Sequence, residues 1–201
     1  MKVIKFFTVA LCGMMIVSFS ACNNDDDTGR QLTKEEKAKC FEVVKGKYEG
    51  NLIYPNVNKN NPKDKADTVV VRWNIDTDST MTIEKVPAKA LAANFTNEEL
   101  KTAMDAASDQ DVLCKIEFIS INPVAYLVTP QAPTYVVNYG GSEHKVQPTF
   151  LGNNYASFGA YNAGKKVLGM QLIQRVVLVD EQRTDNIKQG VQLIFESKKK
   201  L

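Results

Sequence analysis

Val69-Val70-Val71-Arg72-Trp73-Asn74-Ile75, then Asp76-Thr77-Asp78-Ser79, then Thr80-Met81-Thr82-Ile83 is the stretch on which the fold turns. Val69, Val71, Trp73 and Ile75 alternate with Val70, Arg72 and Asn74. That period of two sends one set of side chains to a buried face and the other toward solvent. Asp and Ser side chains bond their own backbone in turns, so Asp76 to Ser79 is expected to reverse the chain into a strand containing Met81 and Ile83. Two strands so joined lie antiparallel, with one face available for a core.

The same period is found upstream, where Tyr48, Leu52 and Tyr54 alternate with Glu49 and Asn51. Between the two strands, Asn56 to Asp67 is polar and interrupted by proline, as a loop should be. Ahead of them Thr33-Lys34-Glu35-Glu36 is a capping box, starting a helix that presents Cys40, Phe41 and Val44 on one side and stops near Gly46. Downstream, Pro87 ends the strand and a second helical region follows. Thr96 and Glu99 form its capping box, and Leu100, Ala103, Met104 and Ala107 make its apolar stripe.

A strand is expected from Val112 to Ile121. Pro123, Pro130 and Pro133 break the connection to Tyr135–Tyr139, and Gly140-Gly141 marks a turn. Val167 to Val179 and Val191 to Glu196 read as strands joined by a polar loop, Asp180 to Lys188. The expected class is α+β, predominantly antiparallel sheet with an N-terminal helix and one further helix, in a single domain over 33–201. Gly46-Lys47-Tyr48 resembles the Gly-x-Trp that opens lipocalin-type barrels, with Tyr in place of Trp, which implies a barrel or half-barrel as the closed form of the sheet.

Residues 1–21 have the parts of a secretory signal: Lys2 and Lys5, an apolar run from Phe6 to Phe19, and Ser20-Ala21 before a cysteine. Ser20-Ala21-Cys22 resembles a bacterial lipobox, with Phe19 departing from the usual aliphatic residue. The resemblance implies that Cys22 is lipidated and becomes the mature amino terminus. Asn23-Asn24-Asp25-Asp26-Asp27 lacks apolar side chains and repels itself, so 22–32 is an extended acidic tether. It resembles the acidic signal that sends lipoproteins of the Bacteroidetes to the outer face of the outer membrane. The expected location is therefore the outer membrane, lipid-anchored and facing the cell surface, with a periplasm-facing anchor as the alternative.

Removing 21 of 201 residues leaves 180, enough for one sizeable core. Two of the 25 basic residues leave with the signal, so 23 face 23 acidic ones and the mature chain is neutral. Such a balance excludes a nucleic-acid partner, and Lys198-Lys199-Lys200 reads as a solubilising tail. Cys40 and Cys114 remain as an even pair in an exported chain. They are either two buried thiols or a disulfide worth on the order of 4 kcal/mol in the chain-entropy model.

Candidates for chemistry are few, and neither a metal nor a cofactor is expected. Asp76-x-Asp78 lacks the remaining ligands of a calcium loop and suits a turn. The single histidine, His144, shares a strand face with Ser142, but about 7 Å separates such positions along the backbone, too far for direct contact. Glycosidase carboxylates meet only in the fold, and no pair is singled out. Asp67-Thr68-Val69 and Asp78-Ser79-Thr80 resemble the motif at which Bacteroidetes attach O-glycans, which implies Thr68 and Ser79 as acceptors.

Between Thr129 and Gly164 only Glu143 and Lys145 carry full charges, among many aromatic residues. Tyr135, Tyr139, Tyr155, Phe158 and Tyr161 are the candidate ligand surface, since rings stack on sugar faces and the neighbouring amides bond hydroxyls. The signal and tether, with "GKYEG" and "VVVRWNIDTDSTMTIEKVPAKALA", resemble domains of unknown function in Bacteroidetes lipoproteins. That resemblance implies a location and a fold and carries over no catalytic residue. The expected function is a non-enzymatic, envelope-anchored module binding a glycan or a small apolar ligand. An assembly partner of other envelope proteins is the alternative, and a hydrolase the third.

Overall fold

The computed structural model describes residues 31–55, 66–152 and 156–201. The chain divides into two units, Met1–Gln31 and Leu32–Leu201, and the second carries every helix and strand described. In chain order these are α1 (Lys34–Val44), β1 (Gly46–Pro55), β2 (Ala66–Ile75), β3 (Thr80–Val86), α2 (Ala88–Ala92), α3 (Glu98–Asp105), β4 (Gln110–Ile121), β5 (Val124–Pro130), β6 (Tyr135–Tyr139), β7 (Ser142–Leu151), β8 (Phe158–Asn162), β9 (Val167–Val179), β10 (Gln182–Thr184) and β11 (Val191–Lys200). No helix among the described residues is long and apolar enough to cross a membrane.

All strand pairs are antiparallel. The order β11-β1-β2-β3-β4-β5-β8-β9 returns to its start because β9 also pairs with β11. Eight strands thus close a barrel. The closing pairings join Leu193 to Leu172 and Leu52 to Phe195. Where β11 meets β1 a register shift falls at Glu49/Gly50, a bulge that bends the strand locally. A Cβ on Gly50 would lie 2.1 Å from the Glu196 carbonyl oxygen, so only glycine allows that approach.

The alternating side chains of the opening stretch point inward. Val71, Trp73 and Ile75 are buried, as are Met81 and Ile83 across the turn. Tyr48, opposite Trp73 in the register, stacks on its ring at 6.0 Å, and Phe195 meets the same indole edge-on at 6.1 Å. Phe118 and Tyr126 form a second edge-on pair at 5.7 Å. An eight-stranded barrel is just wide enough for side chains to fill, and these rings, with Leu52, Met170 and Leu172, fill it.

Both ends are covered. At one, Thr33 and Glu36 cap α1 reciprocally, and the Tyr48 hydroxyl donates to the Val44 carbonyl at 2.7 Å. At the other, where β1 finishes, Asn94 donates to the Pro55 carbonyl and buried Gln174 to that of Leu91. Ala88, Ala90, Leu91 and Ala92 of α2 are buried there.

β9 is longer than the barrel needs. Its first half pairs with β8 and β11, while Ile173–Val179 runs on, with β7 on one edge and β10 on the other. β6 pairs with β7, so β6-β7-β9-β10 is a sheet extension projecting beyond the end opposite α1.

Several expectations change. Three helices are present, α2 being the additional one. The cap of α3 is Asn97, whose Oδ1 accepts from the Leu100 amide at 3.0 Å, because Thr96 is engaged by the Asp185 and Asn186 carbonyls. The segment after Pro123 is strand β5, the proline lying in the turn before it. Within β7, Pro148 is tolerated because β6 pairs only as far as Val146, leaving that edge without a ladder partner on β6. The strand β2 already includes Ala66 and Asp67 of the expected loop, and residues 56–65 lie outside the described set. Lys199 and Lys200 belong to β11: one bonds Glu49 at 2.9 Å, and the other lies 5.5 Å above the Tyr48 ring. Cys40 and Cys114 are separate buried thiols facing the Ser120 and Val112 carbonyls, not a disulfide.

Two substitutions test the packing. A Cβ on Gly159 would lie 2.4 to 2.7 Å from the end of the Tyr126 ring, so Gly159→Ala should lower stability by about 1–3 kcal/mol in urea unfolding. The buried Tyr126 hydroxyl has no hydrogen-bond partner among the described residues, so Tyr126→Phe should leave the midpoint unchanged or raise it. A clear loss in Tyr126→Phe would refute that placement.

Candidate functional site

The described aromatic residues expected to form one surface lie on two strands, β6 and β8. Tyr135 is 1 % exposed and belongs to the core, where burial pushes its phenol above the ordinary range. Phe158 and Tyr161 lie on β8 opposite Gln171 and Leu168. Tyr139 lies on the β6–β7 hairpin, whose partner segment of β9 ends at Val179. Eleven residues of strand separate Leu168 from Val179, about 36 Å at strand rise, so these rings do not form one patch. Tyr155 lies outside the described residues, as does Cys22. Thr68 and Ser79 are exposed, the first on β2 and the second in the turn before β3.

Ser142 and His144 do meet. The Ser142 Oγ is 3.3 Å from His144 Nε2, because the two side chains lean together across the backbone spacing that argued against contact. His144 Nδ1 lies 2.7 Å from Asp180 Oδ2, while Asp180 Oδ1 accepts the Lys145 amide at 2.8 Å. Tyr139 packs on the imidazole with ring centroids 4.5 Å apart. The hydrogen bond to His144, then the one from the Lys145 amide, holds the Asp180 carboxyl below its ordinary value of 3.8.

This is the order of a nucleophile, base and orienting carboxylate. Its setting is different: Ser142 is exposed and the Asp180 side chain is 52 % exposed. Water screens such groups, whereas catalytic sites gain their leverage by excluding it. The network ties the hairpin to the end of β9, and hairpin positioning is the role its geometry supports. Asp180 opens the expected polar loop, and no local pattern marks it as a partner of His144, which lies 36 residues upstream and is brought to it by the β7–β9 register.

On the other edge of β9, a cleft of about 420 Å³ is lined by Arg175, Val176, Arg183, Thr184, Asp185, Ile187 and Lys188. Three cations face one carboxylate. Thr184 anchors the floor by donating to the Val177 carbonyl at 2.8 Å and accepting from Asn186 at 2.9 Å. Sequence reading placed these side chains in a strand and a polar loop; only the β9–β10 register brings them together. A second cleft, about 350 Å³, contains Asp67, Thr68, Lys89, Lys101 and Asp105, with lysines and aspartates in balance. Among the described residues no group of three or more His, Cys, Asp and Glu gathers at a metal-binding distance.

The model of a family described as a domain of unknown function, DUF4840, matches residues 43–179. No curated protein and no solved structure matches the chain.

A carboxyl held low stabilises the fold above its unfolded value, and that contribution disappears as pH falls through the folded one. The hairpin should therefore be firmly tied above pH 3.8 and loosen below it. The protection factor of the Lys145 amide, its exchange rate relative to the free-peptide rate at the same pH, should fall on acidification, and Asp180→Asn should show the lower protection already at neutral pH. Equal exchange in the two proteins would remove the positioning role.

Proposed function

The chain belongs to the DUF4840 family, and we propose that it is an envelope-anchored, non-enzymatic binding module that recognises its ligand outside the barrel, on the β6-β7-β9-β10 extension. The filled interior is the observation that carries this reading. Barrels that hold an apolar ligand keep a lumen for it, whereas Trp73, Tyr48, Phe195, Phe118 and Tyr126 occupy this one. A small apolar ligand inside the barrel is correspondingly disfavoured, and a polar ligand such as a glycan is favoured on the extension.

The same reading places a lipid on Cys22 and the domain on the outer face of the outer membrane, with the acidic residues after Cys22 as tether. Leu32 leads into α1, and the extension lies at the far end of the barrel. O-glycans on Thr68 and Ser79 are a further part of the proposal, supported by the exposure of both side chains.

Assembly with another envelope protein is the second reading. The sheet order ends at β6, and Val136 on that strand is 57 % exposed. An incoming strand could extend the sheet there.

A thermal-shift screen of the mature chain against glycans, lipids, small apolar molecules and divalent metals tests the main reading. A ligand at 100 times its dissociation constant stabilises by about 2.7 kcal/mol, a shift of a few degrees. A glycan hit lost on Tyr139→Ala would support the extension as the site; silence across the panel with a partner recovered through β6 would replace it by assembly. Separately, Cys22→Ser should move the protein from the membrane fraction to the soluble one, and protease shaving of intact cells should remove the domain. A variant still partitioning into detergent would eliminate the lipid anchor.

A further inference from the structure

We infer that the cleft between β9, β10 and the β10–β11 connection is an oxoanion site that takes a phosphate or sulfate ester. The inference rests on the binding-module reading and names the ligand chemistry of the extension.

Charge is the first argument. Arg175, Arg183 and Lys188 line a space of about 420 Å³ with Asp185 as the single carboxylate, an excess of two positive charges. Among the described residues none of the three cations has an ion pair, while Arg72, Lys199, Lys47 and Lys45 each have a carboxylate within 2.9 Å. The mature chain is neutral, so this excess is local. An anion that enters the cleft meets this positive excess and is attracted by it.

The second argument is construction. Arg175 comes from β9 and Arg183 from β10, strands held in register by the Arg183–Leu178 pairing. The connection beyond β10 is fixed at several points: the Thr96 amide donates to the Asn186 carbonyl at 3.0 Å, the Thr96 hydroxyl donates to that of Asp185, and Ile187 is buried. The cations are thus carried on backbone that is already ordered, which reduces the entropy a ligand must overcome.

Ligand class follows from the donors. Two guanidinium forks and an ammonium offer more N–H groups than a carboxylate can accept, but suit the several oxygens of a phosphate or sulfate. A phosphate monoester at neutral pH carries close to two negative charges, matching the excess. Asp185 at the same cleft can only accept hydrogen bonds while ionised, which suits a hydroxylated carrier such as a sugar or glycerol. Free esters and lipid headgroups share this chemistry.

The test uses the chain from Asn23, which lacks Cys22 and carries no lipid, with three probes: inorganic phosphate, a sulfated disaccharide beside its desulfated form, and phosphatidylcholine vesicles with or without phosphatidic acid. Saturable binding of phosphate or the sulfated sugar is expected in calorimetry, weakened at least tenfold by Arg183→Gln or Arg175→Gln and by raised salt. Lys89→Gln, in the charge-balanced cleft, should leave binding unchanged. Co-sedimentation with phosphatidic acid vesicles, competed by phosphate, would assign the lipid source; binding of the sulfated sugar without vesicle binding would assign the free ester. No saturable binding to any probe, or equal loss in Lys89→Gln, would overturn the oxoanion site. A neutral glycan that binds the extension regardless of Arg175 and Arg183 would overturn it too while leaving the binding module standing.

Discussion

The length of β9 governs the architecture. A strand has two edges, and an eight-stranded barrel uses both over a limited span. β9 has 13 residues, and β8 and β11 between them reach only Val167 to Gln174. The remainder emerges from the barrel with both edges open, and β7 and β10 occupy them. One continuous strand therefore closes the core and supports everything built beyond it. The His144–Asp180 tie lies at its end, and the cationic cleft lies along its β10 edge.

Closure also depends on the seam between the first and last strands. Glu49 on β1 receives Lys199 from β11 at 2.9 Å and Arg72 from β2 at 2.8 Å, and those partners, Lys199 foremost, hold its carboxyl below the usual range. Water screens so exposed a network, and its contribution to stability is small. Its value is positional, since a one-residue slip would reverse every inward and outward side chain of β11. The larger force is beneath it, where Tyr48, Trp73 and Phe195 join three adjacent strands through their rings. Burial and aromatic contact hold the barrel, and the charged residues above mark the register.

Legibility in the sequence followed the physics of each element. β1, β2, β3 and β9 carry large apolar side chains at a period of two over one solvated face, a local signal that needs no partner. β5, β7 and β8 contain or adjoin Pro123, Pro148 and Gly159, residues that suggest interruption until a neighbouring strand shows how each is accommodated. Pro148 lies beyond the last β6 partner, and Gly159 leaves room for Tyr126. The pairing of β11 with β1 spans nearly the whole domain, beyond the reach of any local pattern. Ser142 and His144 are two residues apart, and backbone spacing alone does not show that their side chains lean together. Asp180, Arg175, Arg183 and Lys188 had no motif to join them.

Those unrecognised residues share a cause, which bears on how such a domain acquires function. The filled core constrains its residues tightly: Gly159 cannot gain a methyl group without meeting Tyr126, and Trp73 touches rings on two sides. On the extension, Tyr135, Val137, Val146 and Val177 are buried too, and only its solvent-facing positions escape that constraint. Arg175, Arg183 and Lys188 are exposed, so their side chains can change without cost to the core. A full barrel leaves little room for change in its lumen, whereas solvent-facing positions on the strand that leaves it are free to vary. The closed half of β9 thus carries core packing, and the open half presents Arg175 beside Arg183 and Lys188, with Asp185 as the one carboxylate of the cleft.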